Sequence, residues 1–259
     1  MKVIILAGGY GTRLGSITED MPKPMVRVGS HPILWHIMKI YSHYGYKDFI
    51  LSLGYKQELV KEYFQNYDVY ANNFTINLGT KDVTILNTEH DEKDWNVSLI
   101  NTGLNTLKGA RVKKLEKYID DDLTMLTYGD GVADININDL VAFHKSHGKI
   151  LTITGVRPSA RFGEIVEEGN QLVSFKEKPQ SSTGLINGGF FVFDKRLFDH
   201  LSIDESCDLE TQISEKIVPL GEVMVYKHLG NWECVDMEKD LKHMNQLWNE
   251  KQAFWKVWK

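Results

Sequence analysis

Residues 3–6, Val-Ile-Ile-Leu, run directly into Ala7-Gly8-Gly9-Tyr10-Gly11-Thr12-Arg13-Leu14, and this junction constrains the fold more than any other stretch. A short apolar, β-branched run suits a strand buried on both faces. The glycines after it let backbone N–H groups approach and wrap an anion. Arg13 adds a guanidinium able to bind phosphate through two bonds, and Lys23, held between Pro22 and Pro24, adds a point charge. Together they describe a triphosphate cradle. Two commoner glycine loops fit poorly. A P-loop needs Lys-Ser or Lys-Thr directly after its last glycine, where this chain has Thr12-Arg13. A dinucleotide fingerprint needs Gly or Ala where Leu14 stands. A plain glycine turn without a ligand is the bland alternative, and Arg13 with Pro22-Lys23-Pro24 weighs against it.

Helical and strand patterns then alternate. Ile33, Leu34, Ile37, Met38 and Tyr41 share one helical face, and Gly45 ends that helix. Phe49 to Leu53 read as a second buried strand, and Leu59, Val60, Tyr63 and Phe64 as a second helix. Strand, helix, strand, helix marks a parallel sheet with right-handed crossovers. Phe74 to Leu78 and Val83 to Leu86 read as strands nearer a sheet edge. His90 to Asp94 reads as a solvated charge run. Leu123 to Thr127 form another buried strand, which delivers Tyr128-Gly129-Asp130 to the edge where ligands of open α/β sheets sit. Ile135 to His147 read as a crossover helix, whose two histidines carry no assigned role. From Ile150 the strands shorten (Leu151 to Val156, Gly163 to Glu167, Leu172 to Phe175, Phe190 to Phe193) and suggest an antiparallel extension around a second-substrate pocket. Leu209 to Leu220 read as helix, and Glu222 to Tyr226 and Trp232 to Val235 as strands. Residues 237–259 begin as a helix and end in Phe254, Trp255 and Trp258, an aromatic tail for packing or an oligomer contact. The expected organisation is one continuous domain: 1–149 mainly for the nucleoside-triphosphate ligand, 150–236 mainly for the second substrate, and 237–259 a helix and tail.

Composition narrows the function classes. The 259 residues can bury one sizeable core. A net charge of −5 argues against non-specific nucleic-acid or anionic-membrane binding. No apolar run approaches the length of a transmembrane helix, and the first apolar run is too short for a signal peptide. Cys207 and Cys234, the only cysteines, make neither a metal spacing nor a disulfide framework. A cytoplasmic location is the expectation.

Leu6 to Leu14 followed by Pro22-Lys23-Pro24-Met25 resembles the signature of the sugar-1-phosphate nucleotidylyltransferases. Pro32 to Met38, Tyr128-Gly129-Asp130-Gly131-Val132, Phe175-Lys176-Glu177-Lys178-Pro179 and Ile186 to Val192 extend the likeness over nearly the whole chain. They resemble the glucose-1-phosphate cytidylyltransferase subgroup in particular. The resemblance implies a Rossmann-like, mixed and mainly parallel sheet flanked by helices, with a smaller antiparallel sugar-binding subregion: the nucleotide-diphospho-sugar transferase fold. It implies CTP and α-D-glucose 1-phosphate as substrates, Mg²⁺ as cofactor and a homo-oligomer, in this subgroup a hexamer.

Residue by residue, Leu6, Ala7, Gly8, Gly9, Gly11, Thr12 and Arg13 correspond to the triphosphate loop, and Lys23 to the α-phosphate contact. Asp130 and Asp236 are the expected metal carboxylates. Thr102, Gly103 and Thr106 are expected to recognise the nucleotide, where exposed amides and hydroxyls can read a cytosine edge. Arg111 is expected against the nucleotide or a neighbouring subunit's ligand. Lys178 is expected on the sugar phosphate, Glu177 and Asn187 on the sugar hydroxyls, and Tyr128 and Gly129 among the substrate-binding residues. Each has a bland reading: Asp130 as a turn residue, Asp236 as the cap of the helix that follows, Lys178 as a solvated lysine. The chain departs from the subgroup at residues 204–219, at Met237 where threonine is expected, at Asn101 and at Ala110, changes placed near the presumed sugar pocket. Other sugar 1-phosphates, or UTP, dTTP or GTP as donor, are the alternatives within the class. A non-catalytic nucleotide-sensing subunit is the alternative outside it, opposed by the intact lysines and aspartates.

Overall fold

The computed structural model describes residues 1–15, 17–87, 90–158, 164–168, 171–176 and 184–259. Seven strands form the central sheet: β1 (Val3–Leu6), β2 (Asp48–Leu53), β3 (Asn96–Asn101), β4 (Leu123–Tyr128), β5 (Leu151–Val156), β6 (Ile186–Asp194) and β7 (Val223–Lys227). Their order across the sheet is β7-β5-β6-β4-β1-β2-β3. β1 lies parallel between β4 and β2, with Leu6 opposite both Tyr128 and Ser52. β3 continues in parallel beyond β2, and β7 is parallel to β5. Only β6 runs the other way, antiparallel to both β4 and β5. The mainly parallel α/β architecture is the one expected.

The apolar run of β1 is explained by cover on both faces. Val3 and Ile5 join a core with α1 (Ile33–His43), α4 (Ile137–His147) and the C-terminal helix α5 (Glu238–Asn249). Ile4 faces the other core, with Ile50, Leu126 and Phe191 under α3 (Lys108–Lys114). Helix α2 (Gln57–Gln65) packs its Val60 into the first core. Asn136 caps α4 by accepting from the Asn138 and Asp139 amides, and Gly148 ends it in a left-handed conformation.

Four sequence expectations change. The segments Phe74–Ile76 and Val83–Ile85 pair only with each other, as an exposed ribbon outside the main sheet. The sheet edge there is β3, whose Asn96, Ser98 and Asn101 disguise a strand that is only half covered. β5 and β6 belong to the main sheet, so the separate antiparallel pair is confined to Glu164–Glu168 and Gln171–Lys176. Glu92, expected in a solvated run, is buried against Lys39 at 2.8 Å because that lysine is itself buried on α1 and requires a counter-charge.

The aromatic tail packs inward. Trp255 is fully buried and donates its indole N–H to His36 Nδ1 at 3.3 Å. Burial lowers His36 to about 4, so the ring is neutral: Nε2–H donates to the Val28 carbonyl at 2.9 Å, and Nδ1 accepts. Trp255→Ala is expected to cost about 3–5 kcal/mol of stability through the cavity it leaves. Urea unfolding midpoints measure this, and an unchanged midpoint contradicts the packing role.

Candidate active site

The C-terminal ends of β1, β2, β3 and β4 share one edge of the sheet, and a cleft of about 410 Å³ opens there. Its floor is Leu6 to Gly11. One wall is Leu104 to Lys108, and the opposite side is Lys23, Pro24 and Tyr128 to Asp130. Gly11 has φ +66°, and a Cβ there would lie 2.8 Å from Lys23 Cβ. Glycine therefore allows both the turn and its contact with the lysine stem. The turn Thr12–Leu14 follows, carrying Arg13. Pro22 holds an extended conformation, and Lys23–Met25 forms a short turn closed by the Met25 amide on the Pro22 carbonyl at 2.8 Å. Lys23 thus enters the cleft on a stiff support.

The lysine stands between two carboxylates. Its Nζ donates to Asp130 Oδ2 at 2.6 Å and to Asp236 Oδ1 at 2.8 Å. Arg13 Nη1 donates to the other oxygen of Asp236 at 3.1 Å. A two-stranded ribbon brings the aspartates together. Gly131–Ala133 pairs with Trp232–Cys234, and the Val235 amide donates to the Asp130 carbonyl at 2.9 Å. Asp130 and Asp236 therefore leave adjacent strand ends although more than a hundred residues separate them. Met237, rather than Asp236, caps α5.

Burial by itself depresses the pKa of Lys23, but the charges and hydrogen bonds of Asp130 and then Asp236 more than reverse it and hold it above the ordinary lysine value. Among the described residues no group of three or more His, Cys, Asp or Glu is placed to hold a metal. The Asp130–Asp236 pair is a hard-oxygen donor set that fits an ion completed by phosphate oxygens and water, which is the habit of Mg²⁺. The neighbouring Cys234 thiol is pushed up to about 12 by burial and by the two aspartates.

Tyr128 faces the far end of the cleft. Its hydroxyl donates to Glu210 Oε1 at 2.6 Å and accepts from Asn187 Nδ2 at 3.1 Å. Burial and the Glu210 charge hold the phenol well above its ordinary pKa. Lys108 pairs with the same Glu210 oxygen. Asn187 reaches the site through Tyr128 rather than through the cleft lining. Glu177 and Lys178 lie outside the described residues.

Three residues expected at the nucleotide have polar groups bonded within the protein, while Thr106 and Arg111 still line the cleft. Thr102 is 1% exposed and donates its hydroxyl to the Leu53 carbonyl at 2.8 Å. Thr106 is buried and donates to Glu205 at 3.1 Å while accepting from Lys114. Arg111 is 4% exposed, and its four terminal N–H groups meet the Leu53, Gly8 and Leu104 carbonyls and Thr102 Oγ1 at 2.7–3.2 Å. Buried hydroxyls and guanidinium groups require partners, and the interior supplies them. Gly103 turns the chain behind the wall with φ +108°. The cleft is lined on this side by Leu104, Asn105, Thr106, Leu107 and Lys108, and Arg111 also reaches the lining. Asn105, Lys108 and Glu210 were missed in the sequence. A polar residue between the two threonines and a lysine opening a basic helix were the available signals for the first two. Part of the unusual stretch at 204–219 packs against this wall: the Glu205 and Cys207 carbonyls accept from the Leu107 and Ala110 amides. Glu210 alone reaches Tyr128.

The nucleotidyl transferase family pattern matches residues 2–249, and the chain belongs to that family. It is 42% identical over 258 residues to a probable glucose-1-phosphate cytidylyltransferase of Bacillus subtilis, covering all of both chains. It is 41% identical over 260 residues to the glucose-1-phosphate cytidylyltransferase of Salmonella typhi, again over both full lengths. HddC from Yersinia pseudotuberculosis shares the fold, with a TM-score of 0.65 at 22% identity over 95% of this chain and 99% of that one.

Stability drawn from the Lys23 cluster is fully present below the ordinary lysine pKa of 10.5 and is lost as pH rises through the raised native value. Wild type is therefore expected to lose more stability than Lys23→Met between about pH 10 and 12. Urea midpoints across that range decide it, and parallel curves for the two proteins exclude the effect.

Proposed function

We propose that this chain transfers a cytidylyl group from CTP to α-D-glucose 1-phosphate, giving CDP-glucose and pyrophosphate, with Mg²⁺. The observation that carries the chemistry is the run Arg13–Asp236–Lys23–Asp130 beside the glycine loop. The choice of substrates is supported by full-length identity of 41–42% to proteins named for that reaction.

The attacking group, a sugar phosphate oxygen, is already ionised near neutral pH, so the site needs no strong general base. That oxygen forms a bond to the α-phosphorus while the α–β bridging bond breaks and its electrons leave with pyrophosphate. The obstacles are repulsion between anions and charge on the leaving group, so positioning and electrostatic stabilisation supply most of the catalysis. Loop amides from Gly8 to Gly11 and the exposed Arg13 suit the β- and γ-phosphates. Lys23, on its stiff support, suits the α-phosphate, where charge builds in the transition state. Asp130 and Asp236 would hold Mg²⁺, which when bound neutralises phosphate charge. Asn187 and Tyr128 suit the sugar end, with Glu177 and Lys178 assigned there from the sequence. The exposed apolar ribbon Phe74–Ile76 and Val83–Ile85 supports the homo-oligomer, a hexamer by resemblance.

Incubation with CTP, Mg²⁺ and glucose 1-phosphate is expected to release pyrophosphate, and CTP to outperform UTP, dTTP and GTP. No release with any sugar 1-phosphate overturns the reading; release with another sugar or base moves it within the family. Asp236→Asn is expected to lower kcat on the order of 10²–10³-fold with the fold intact by circular dichroism.

A further inference from the structure

Strand β6 is interrupted near its start. Its ladder with β5 covers Ile186 and Asn187 and resumes only at Phe191, and its ladder with β4 begins at Phe190. Gly188 and Gly189 therefore bulge out of the sheet, and a bulge leaves backbone groups that need partners from elsewhere. Trp232 supplies one: its indole N–H donates to the Gly188 carbonyl at 2.8 Å. The bulge is shaped tightly on its other sides. Gly189 has φ +80°, and a Cβ there would lie 2.8 Å from the Tyr128 ring, while a Cβ on Gly188 would lie 2.5 Å from Val156. The Gly189 amide donates to Asn187 Oδ1 at 2.9 Å, and Asn187 Nδ2 donates to the Tyr128 hydroxyl. The set of the bulge thus decides where the Asn187 side chain points. Trp232 is itself held firmly. It pairs with Ala133 in the ribbon that brings Asp130 and Asp236 together. Just before it, the backbone and side-chain amides of Asn231 both donate to Asp134 at 2.8 Å, and the His228 amide donates to the Gly155 carbonyl of β5 at 3.0 Å.

We propose that Trp232 is a positioning residue for the acceptor: its indole ties the bulge that carries Asn187 to the ribbon that carries both aspartates. The inference rests on the function proposed above. In that reaction an oxygen of the sugar phosphate has to arrive in line with the α-phosphorus beside Lys23. The groups suited to the sugar sit on β6 and β4, and Asp236, which holds Lys23, leaves the end of the ribbon. Two separately built halves have to keep one spacing, and small errors in such a spacing are costly to the rate. A single hydrogen bond from a rigid ring that is anchored on one half and aimed at the other sets it.

The test compares the full-length wild type with Trp232→Phe, which keeps a ring and loses the N–H donor. Gly188→Ala, which displaces the carbonyl and leaves the indole, carries the test if Trp232→Phe fails to fold. Either change is expected to raise the KM for glucose 1-phosphate about 3- to 10-fold, the worth of one hydrogen bond, while calorimetric CTP binding stays within about twofold. In an Asn187→Ala background Trp232→Phe is expected to add less than about twofold, because the residue it acts through is gone. An unchanged KM for the sugar 1-phosphate overturns the proposal. So does an equal loss of CTP affinity, which marks general distortion of the ribbon, or a full additive effect in the double variant. Hydrogen exchange over residues 186–190, read by mass spectrometry, is expected to quicken in Trp232→Phe. If wild type turns over no sugar 1-phosphate, the function reading fails. Exchange then decides the tie by itself: faster exchange supports it and unchanged exchange overturns it.

Discussion

One ammonium group joins the ends of this chain. Lys23 reaches from the first loop to a carboxylate at the end of β4 and to another just before the last helix, and Arg13 holds the far side of the second. Partly buried carboxylates this close to one another repel, and the lysine between them makes the arrangement tolerable. The Gly131–Ala133 and Trp232–Cys234 ribbon is what puts the two acids in reach, so ribbon and lysine depend on each other. Cation, anions and glycine turn then lie at one sheet edge, which is what a ligand that is all phosphate at one end requires.

The sheet explains why that edge is available. Four neighbouring parallel strands finish together, and each hands the chain to a loop whose amides are not consumed by the ladder. The loops are tied together by the hydrogen bonds of Thr102, Thr106 and Arg111, the last two of which also line the cleft.

Much of this was legible in the residues. The run of β1, the helical face of α1 and the strand ending in Tyr128 all declare themselves, because each is covered on the side or sides its pattern indicates. The meeting of the glycine turn, Lys23 and the two aspartates was expected from chemistry and resemblance, and they do meet. What stayed hidden depended on tertiary neighbours. β3 alternates with asparagine and serine, since an edge strand needs only half its side chains covered. Glu92 looks like part of a charged loop until Lys39 is seen beneath it. The hydroxyls of Thr102 and Thr106 point inward because acceptors from distant segments wait there, and no local pattern distinguishes that from facing a ligand.

The reversed strand β6 has its own consequence. Since it runs against its neighbours, Asn187 near its beginning arrives beside the end of β4, where it meets Tyr128. Its second half, Phe190 to Phe193, is clamped by aromatic packing in both cores. The strand is anchored at both ends, since Ile186 and Asn187 pair with Val156 and Gly155 of β5. The place of Asn187 beside Tyr128 is thus set by a strand whose packing lies in the two cores.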